Sequence, residues 1–278
     1  MRCGLKVPVG EVGTVVWALS PESARRYGLT GWSLTNLQCR QDATNNSLLA
    51  KGLCNVLRKM RVQKIFAPNV TQMNARIIDS TQLKINIPLG KNIILHRNHR
   101  ILADGIFLEP GEAFAMSSSG CPIILAVAGK KMIAAHAGRD SLVDRDAVMG
   151  RTTQRHVSVV DTIIDEFLKR RFSRGEISMC MLFAIPPRMF EHRLDHPQYG
   201  EYNQKFWEFA NKRWPDGVIQ QNSSVFPDLE LIFISQAKQA GVCHVWASYS
   251  LSELPHLAHT HDNRDSKRRN LIVVKRCF

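Results

Sequence analysis

Apolar positions along the chain fall into two rhythms. Over Asn46–Met60, residues Leu48, Leu49, Leu53, Val56, Leu57 and Met60 recur at helical spacing, with Asn46 or Ser47 placed to cap the helix. Over Ser158–Lys169, Val159, Val160, Ile163, Ile164, Phe167 and Leu168 share one face, and Ser158 with Asp161 approximates a capping box. Asp228–Ala240 reads as a capped helix stopped by Gly241. Short apolar runs predict strands at Gly13–Ser20, Val62–Ala67, Ile101–Leu108, Glu176–Ala184, Val242–Ser248 and Asn270–Lys275. The turn Glu109-Pro110-Gly111 ends the third of these. Between Arg76 and Leu95, the two short apolar alternations Ile77-Ile78 and Leu83-Ile85-Ile87 suit a meander or a hairpin excursion. Phe114–Met116 is a further apolar run, and Ile123–Val127 and Met132–Ala135 are joined by a plausible hairpin turn at Ala128-Gly129-Lys130. Strands and helices mix without strict alternation. The pattern therefore predicts a single α/β (α+β) domain over residues 1–278, with a central mixed sheet flanked by helices.

That hairpin frames the candidate chemistry. Cys121 precedes its first strand and His136 ends its second, so both stand at one open end of adjacent strands. A thiol beside an imidazole forms a thiolate–imidazolium pair that activates the sulfur as a nucleophile. The same two side chains are also suitable donors for zinc or copper. A third reading makes them ordinary residues at the ends of a buried hairpin. Gly120 leaves room for a substrate to approach and permits a strained backbone, and the amides of Ser117-Ser118-Ser119-Gly120 are candidates for an oxyanion site. Arg139 is a candidate for holding a phosphate or carboxylate, an ion pair with Asp140 or Asp144 being the alternative. His259-Thr260-His261 looks metal-like but reads first as an exposed loop, and His96 and His99 read as flanks of a solvated turn.

Composition narrows the class. The chain has 278 residues, 44% hydrophobic and 22% charged, which is globular composition with enough length for a substantial core. No run approaches the roughly 18–20 apolar residues that cross a bilayer. The N-terminal MRCGLKVPVGEVG lacks the apolar core of a signal peptide. The reading is a cytoplasmic protein without a membrane partner. Seven scattered cysteines with no CxxC pair suggest reduced thiols. A net charge of +13 favours anionic partners. Specific nucleic-acid recognition is not expected, because the five Trp and twelve Phe show no stacking platform.

Several stretches carry a resemblance. Ala103-Asp104-Gly105-Ile106-Phe107-Leu108-Glu109-Pro110-Gly111, Gly120-Cys121-Pro122-Ile123-Ile124-Leu125 and Ala134-Ala135-His136-Ala137-Gly138 resemble the YfiH-like laccase-domain family. That family is also called multicopper polyphenol oxidase-like or purine nucleoside phosphorylase-like. Asn36-Leu37, Gln72-Met73-Asn74, Ala184-Ile185-Pro186-Pro187, Asp228-Leu229, Ala240-Gly241-Val242 and His261–Asn270 fall in the family's order.

The resemblance implies an α/β fold with distant kinship to cysteine deamidases of the cytotoxic necrotizing factor type. It implies a metal, usually zinc, held by two His and one Cys, with Cys121 and His136 as metal ligands or catalytic residues. Asn74 stands where the first metal-binding histidine would fall, and an amide is a poor zinc ligand. Gly120 replaces an aspartate, and Arg139 follows Gly138 directly where the family has a tryptophan first. His261 and Arg264 fall in the family's C-terminal pocket segment. The activities implied are phosphorolysis or hydrolytic deamination of a purine nucleoside or a related anionic small molecule. A protein glutamine deamidase with a Cys–His dyad, and a non-catalytic binding protein, are the alternatives.

Overall fold

The computed structural model describes residues 61–70, 75–90, 92–98, 100–118, 120–152 and 157–248, together with 7–8, 14–17, 29–38, 57–58 and 268–276. The predicted helix over Asn46–Met60 falls outside these residues except at Leu57 and Arg58, which are helical. Asn74, His99, His259, His261 and Arg264 also fall outside them.

In chain order the strands begin with β1 (Val7–Pro8), β2 (Thr14–Trp17), β3 (Leu29–Gln38), β4 (Lys64–Phe66), β5 (Ile77–Asp79), β6 (Ile85–Gly90), β7 (Ile93–Arg97) and β8 (Gly105–Leu108). There follow β9 (Ala113–Ser118), β10 (Ile123–Ala128), β11 (Lys131–His136) and two one-turn helices, α1 (Arg139–Leu142) and α2 (Arg145–Val148). After them come α3 (Val159–Lys169), β12 (Ser178–Leu182), β13 (His192–Arg193) and α4 (Gly200–Arg213). The chain ends with β14 (Val218–Gln221), β15 (Ser224–Pro227), α5 (Leu229–Gln239), β16 (His244–Ser248) and β17 (Arg268–Arg276). Among the described residues these strands form three sheets. A large mixed sheet has the order β1-β2-β3-β17-β9-β4-β7-β6, a second mixed sheet the order β16-β12-β10-β11-β8-β5, and a small one the order β13-β15-β14. The fold is thus mixed α/β, with helices flanking the sheets.

The sequence of β10, IILAVA, explains its place. All six residues are buried, as a strand covered on both faces requires. On one side α5 packs against β12 and β16 while α3 packs against β5; β11 also contacts β17 of the large sheet. Helix α3 starts with the predicted capping box: Ser158 Oγ accepts from Asp161 N at 3.1 Å and Ser158 N donates to Asp161 Oδ2 at 3.0 Å. Helix α5 is capped by Asp228 and ends before Gly241, whose φ is +84°.

Boundaries moved where side chains or turns took over. The predicted strand at Ile101–Leu108 begins only at Gly105, because Asp104 turns its carboxylate inward to the Ala75 amide. That at Glu176–Ala184 shrinks to β12, with a 3-10 turn at Arg174–Glu176 before it and Phe183 in the left-handed region after it, at φ 63°. That at Val242–Ser248 begins at His244, since Val242 N still closes α5 on Ala237 O. Helix α4 and strands β13–β15 did not show in the apolar rhythm. In α4 the buried stripe is narrow, Tyr202, Asn203, Phe206 and Ala210, on an otherwise polar helix. His96 is not part of a solvated turn: it lies within β7, and its ring stacks on Phe66 with centroids 4.5 Å apart.

Candidate active site

The chain crosses between sheets at the site. β9 pairs with β17 and β4 in the large sheet, and three residues after Gly120 the chain enters β10 of the second sheet. Ser117 and Ser118 belong to β9, opposite Leu271 and Asn270, which places these two members of the candidate oxyanion run in a strand ladder. Ser119 lies outside the described residues. Gly120 has φ 131°, a backbone that an L side chain rarely adopts, so glycine is required where the chain turns toward Cys121.

The hairpin register puts Ile123 opposite His136, and Ala137 N donates to Pro122 O at 2.9 Å, carrying the pairing one step further. Cys121 is thereby brought to the side of His136, and its thiol hydrogen-bonds the imidazole. A Cβ on Gly138 would stand 2.8 Å from His136 Cε1, 2.9 Å from His136 Nε2 and 3.4 Å from Cys121 Sγ, so both side chains border the space that Gly138 leaves. His136 is 4% exposed, and Cys121 is half-buried. The expected convergence of the two residues is present.

Asp104 and Ser141 complete the arrangement. His136 Nδ1 lies 3.0 Å from Ser141 Oγ and 3.2 Å from Asp104 Oδ1, and Ser141 Oγ donates to the same Oδ1 at 3.3 Å. Asp104 Oδ2 accepts from Ala75 N at 2.6 Å, and its carbonyl accepts from His136 N at 2.8 Å. Asp104 is fully buried and Ser141 is 1% exposed. A carboxylate that only accepts requires the proton on Nδ1, which leaves Nε2 as the atom that exchanges a proton with Sγ. Burial pushes the His136 pKa down, but its hydrogen bonds to Asp104 and Cys121 and the attraction of both groups raise it to about 9. The centre is a thiol–imidazole–carboxylate chain. Asp104 was visible in the sequence only as part of the Ala103-Asp104-Gly105 stretch; nothing in its spacing marked it as a partner of His136, and Ser141 carried no signal.

Arg139 follows Gly138 and is engaged with protein groups. Nε donates to Asp140 Oδ1 at 2.9 Å, and Nη1 donates to His192 Nδ1 at 3.0 Å and to Asn203 Oδ1 at 3.3 Å. Its guanidinium carbon stands 4.5 Å from the Tyr202 ring centroid and 5.5 Å from that of Phe206. The ion pair with Asp140 is the alternative that the sequence allowed. Tyr202 donates to the same Asp140 Oδ1 at 2.7 Å, and burial pushes its phenol pKa up.

For a metal, the described residues supply Cys121 and His136 as donors, with Asp104 behind the histidine in the place of a supporting carboxylate. Among the described residues no group of three or more His, Cys, Asp or Glu could hold an ion. Among the described residues these two donors are fewer than the three protein ligands of a catalytic zinc. Cys180 is buried and Cys243 exposed; burial drives the Cys180 thiol pKa well up, which makes it inert. Among the described residues no helix is long and apolar enough to cross a membrane.

No family model and no curated protein matches the chain. Solved structures do. A Neisseria meningitidis protein of the DUF152 family aligns over 94% of this chain and 98% of its own, with 12% identity and a TM-score of 0.64. YlmD from Geobacillus stearothermophilus aligns over 98% and 99%, with 14% identity and a TM-score of 0.67. The hypothetical protein YfiH from Bacillus licheniformis aligns over 93% and 96%, with 12% identity and a TM-score of 0.67. At these identities the finding is one of architecture: over more than nine-tenths of its length the chain has the fold of the DUF152, YlmD and YfiH proteins.

Proposed function

We propose that the chain is a divergent YfiH-like enzyme that hydrolyses a carbon–nitrogen bond through Cys121, His136 and Asp104, with the amino group of a purine nucleoside as the bond cleaved. One observation carries the reading. His136 Nδ1 is held by Asp104 and Ser141, which leaves Nε2 for the Cys121 thiol that hydrogen-bonds the ring. That is the arrangement of a thiol nucleophile, its base and the group that orients the base.

The steps follow from these atoms. The Sγ thiolate adds to the ring carbon bearing the amino group. His136 Nε2–H gives its proton to the departing nitrogen, and ammonia leaves. Water then attacks the sulfur-bound carbon while Nε2 takes the water's proton, and the carbon–sulfur bond breaks to restore the thiolate. The sum is nucleoside plus water to deaminated nucleoside plus ammonia. Asp104 keeps the ring in one tautomer and stabilises its charge throughout.

A side-chain amide of glutamine in a protein offers the same carbon–nitrogen bond, and the half-exposed Cys121 is open to it. The test is ammonia release from adenosine and from a glutamine-containing protein, and base release from inosine with phosphate, by the native chain and by Cys121→Ala. Release of ammonia from adenosine that is lost in the variant supports the proposal. Release only from the protein moves the substrate to glutamine, and phosphate-dependent base release replaces hydrolysis by phosphorolysis. Equal rates for both chains, zero included, remove the catalytic reading and leave a binding protein.

A further inference from the structure

Two residues beside the reacting pair belong to one short element. Gly138, the N-cap of α1, leaves the space next to Nε2 and Sγ, and Ser141 of α1 bonds His136 Nδ1. A helix of four residues does not hold its own place; its position is set by what grips it. At its end, Leu142 O accepts from Gln236 Nε2 of α5 at 2.7 Å. At its start the grip is Arg139. Its guanidinium joins Asp140, Asn203 of α4 and His192 of β13, and lies against the rings of Tyr202 and Phe206. Asn203 is 3% exposed and donates to Arg193 O at 2.8 Å, so α4 and β13 form one surface for the arginine. Among the described residues, the hydrogen bonds of Arg139 go to these groups and not to Cys121 or His136.

We infer that Arg139 is a positioning residue: by fastening the start of α1 to α4 and β13, it holds Ser141 on His136 Nδ1 and keeps the Cys121–His136 pair aligned. The inference rests on the reading of that pair as the reactive centre. Without the guanidinium, Asn203 Oδ1 and His192 Nδ1 lose their shared donor and the slot between Tyr202 and Phe206 empties. Helix α1 then keeps the Gln236 bond to Leu142 O and the Tyr202 bond to Asp140 Oδ1, but loses its hold on Asn203 and His192. Ser141 drifts from Nδ1, and the proton on that nitrogen is no longer fixed.

The experiment needs no substrate. The alkylation rate of Cys121 at pH 7 is followed by mass spectrometry with exposed Cys243 as internal reference, and the Nδ1–H resonance of His136 by NMR on the same samples. In Arg139→Ala the Cys121 rate is expected to fall about tenfold and the Nδ1–H signal to broaden or vanish. Added methylguanidinium, which fits the vacated slot, is expected to restore both. Asn203→Ala removes one acceptor and leaves the Asp140 pair; a loss of about two- to threefold is expected. Arg139→Ala that folds and keeps the native rate and the native resonance overturns the inference. If Arg139→Ala does not fold, an Asn203→Ala chain indistinguishable from native overturns it. A native Cys121 no faster than Cys243 removes the proposed reactive centre and this inference with it. A fast native Cys121 that ignores Arg139 removes the inference alone.

Discussion

Two histidines sit in neighbouring sheets, and burial works on both in the same direction. His96, on β7, stacks flat on Phe66, and burial together with the charge of Lys64 lowers its pKa, with Glu112 opposing weakly. Among the described residues its buried Nε2 has no hydrogen-bond partner. His136, at the end of β11, is the more deeply buried, yet its pKa is raised to about 9. The difference lies in what faces each ring. Phe66 offers a π face and no charge, whereas Asp104 and Cys121 offer groups that gain from a cation between them. In this chain burial beside a cation holds a histidine below its ordinary pKa, and burial against a carboxylate and a thiol lifts it above.

The comparison breaks first at Asp104. In Asp104→Asn the amide oxygen still accepts from Ala75 N, but the amide nitrogen then faces His136 Nδ1 and forces the proton onto Nε2. Turnover is expected to fall by about 10²–10⁴-fold. The His136 pKa is expected to drop toward or below its ordinary value, read by NMR titration. A variant that keeps both would show that the carboxylate does not set the ring's character.

A second test uses stability against pH. The folded pKa of His136 lies above its ordinary value of 6.5, so its contribution is complete below about pH 6.5 and is lost as pH rises through about 9. His96 has the opposite sign: its lowered pKa contributes above about pH 6.5, and that contribution is lost as pH falls. Denaturant unfolding of the native chain and of His136→Gln is expected to show a gap on the order of 1–3 kcal/mol at pH 6 that closes by pH 9.5. A gap that widens toward alkaline pH would mean that the ring is held neutral.

Near 1–2 kcal/mol comes Gly138→Ala. The φ of −63° suits alanine, so the cost is contact alone: the new methyl would stand 2.8 Å from His136 Cε1 and 2.9 Å from Nε2. The ring or the α1 turn must give way, and Cys121 alkylation at pH 7 is expected to slow by about tenfold. Native reactivity in a folded Gly138→Ala chain would show that the pair tolerates displacement.

How much of this was legible in the sequence follows the range of the forces involved. The faces of α3 and α5, the apolar run of β10 and the β10–β11 hairpin were readable, because helix caps and alternation act over a few residues. Cys121 and His136 were paired because one hairpin joins them. Asp104 was not, since it reaches His136 across 32 residues by the pairing of β8 with β11, a long-range event without a local pattern. The same holds for Arg139, whose partners His192 and Asn203 lie 53 and 64 residues away. Helix α4 escaped because its buried face is carried by Tyr202, Asn203, Phe206 and Ala210 on a polar background. The sheet assignment of β9 also depended on β17, far along the chain.

The smallest expected effect is at His96, and it sharpens the comparison from the other side. His96→Phe keeps a flat ring against Phe66 and removes a ring nitrogen that, among the described residues, has no partner. No hydrogen bond to Nε2 is lost among those residues, and a desolvated polar atom is exchanged for carbon. Stability at pH 7 is expected to stay within about 0.5 kcal/mol of native or to rise slightly. On the acid side the variant is expected to outlast the native chain below about pH 6.5, because the ring that resists protonation is gone. The measurement is the unfolding midpoint of both chains at pH 5 and pH 7. A variant that is clearly destabilised at pH 7 would mean that His96 makes a polar contact that its stacked position hides. The two histidines would then differ in the strength of their partners, not in having them.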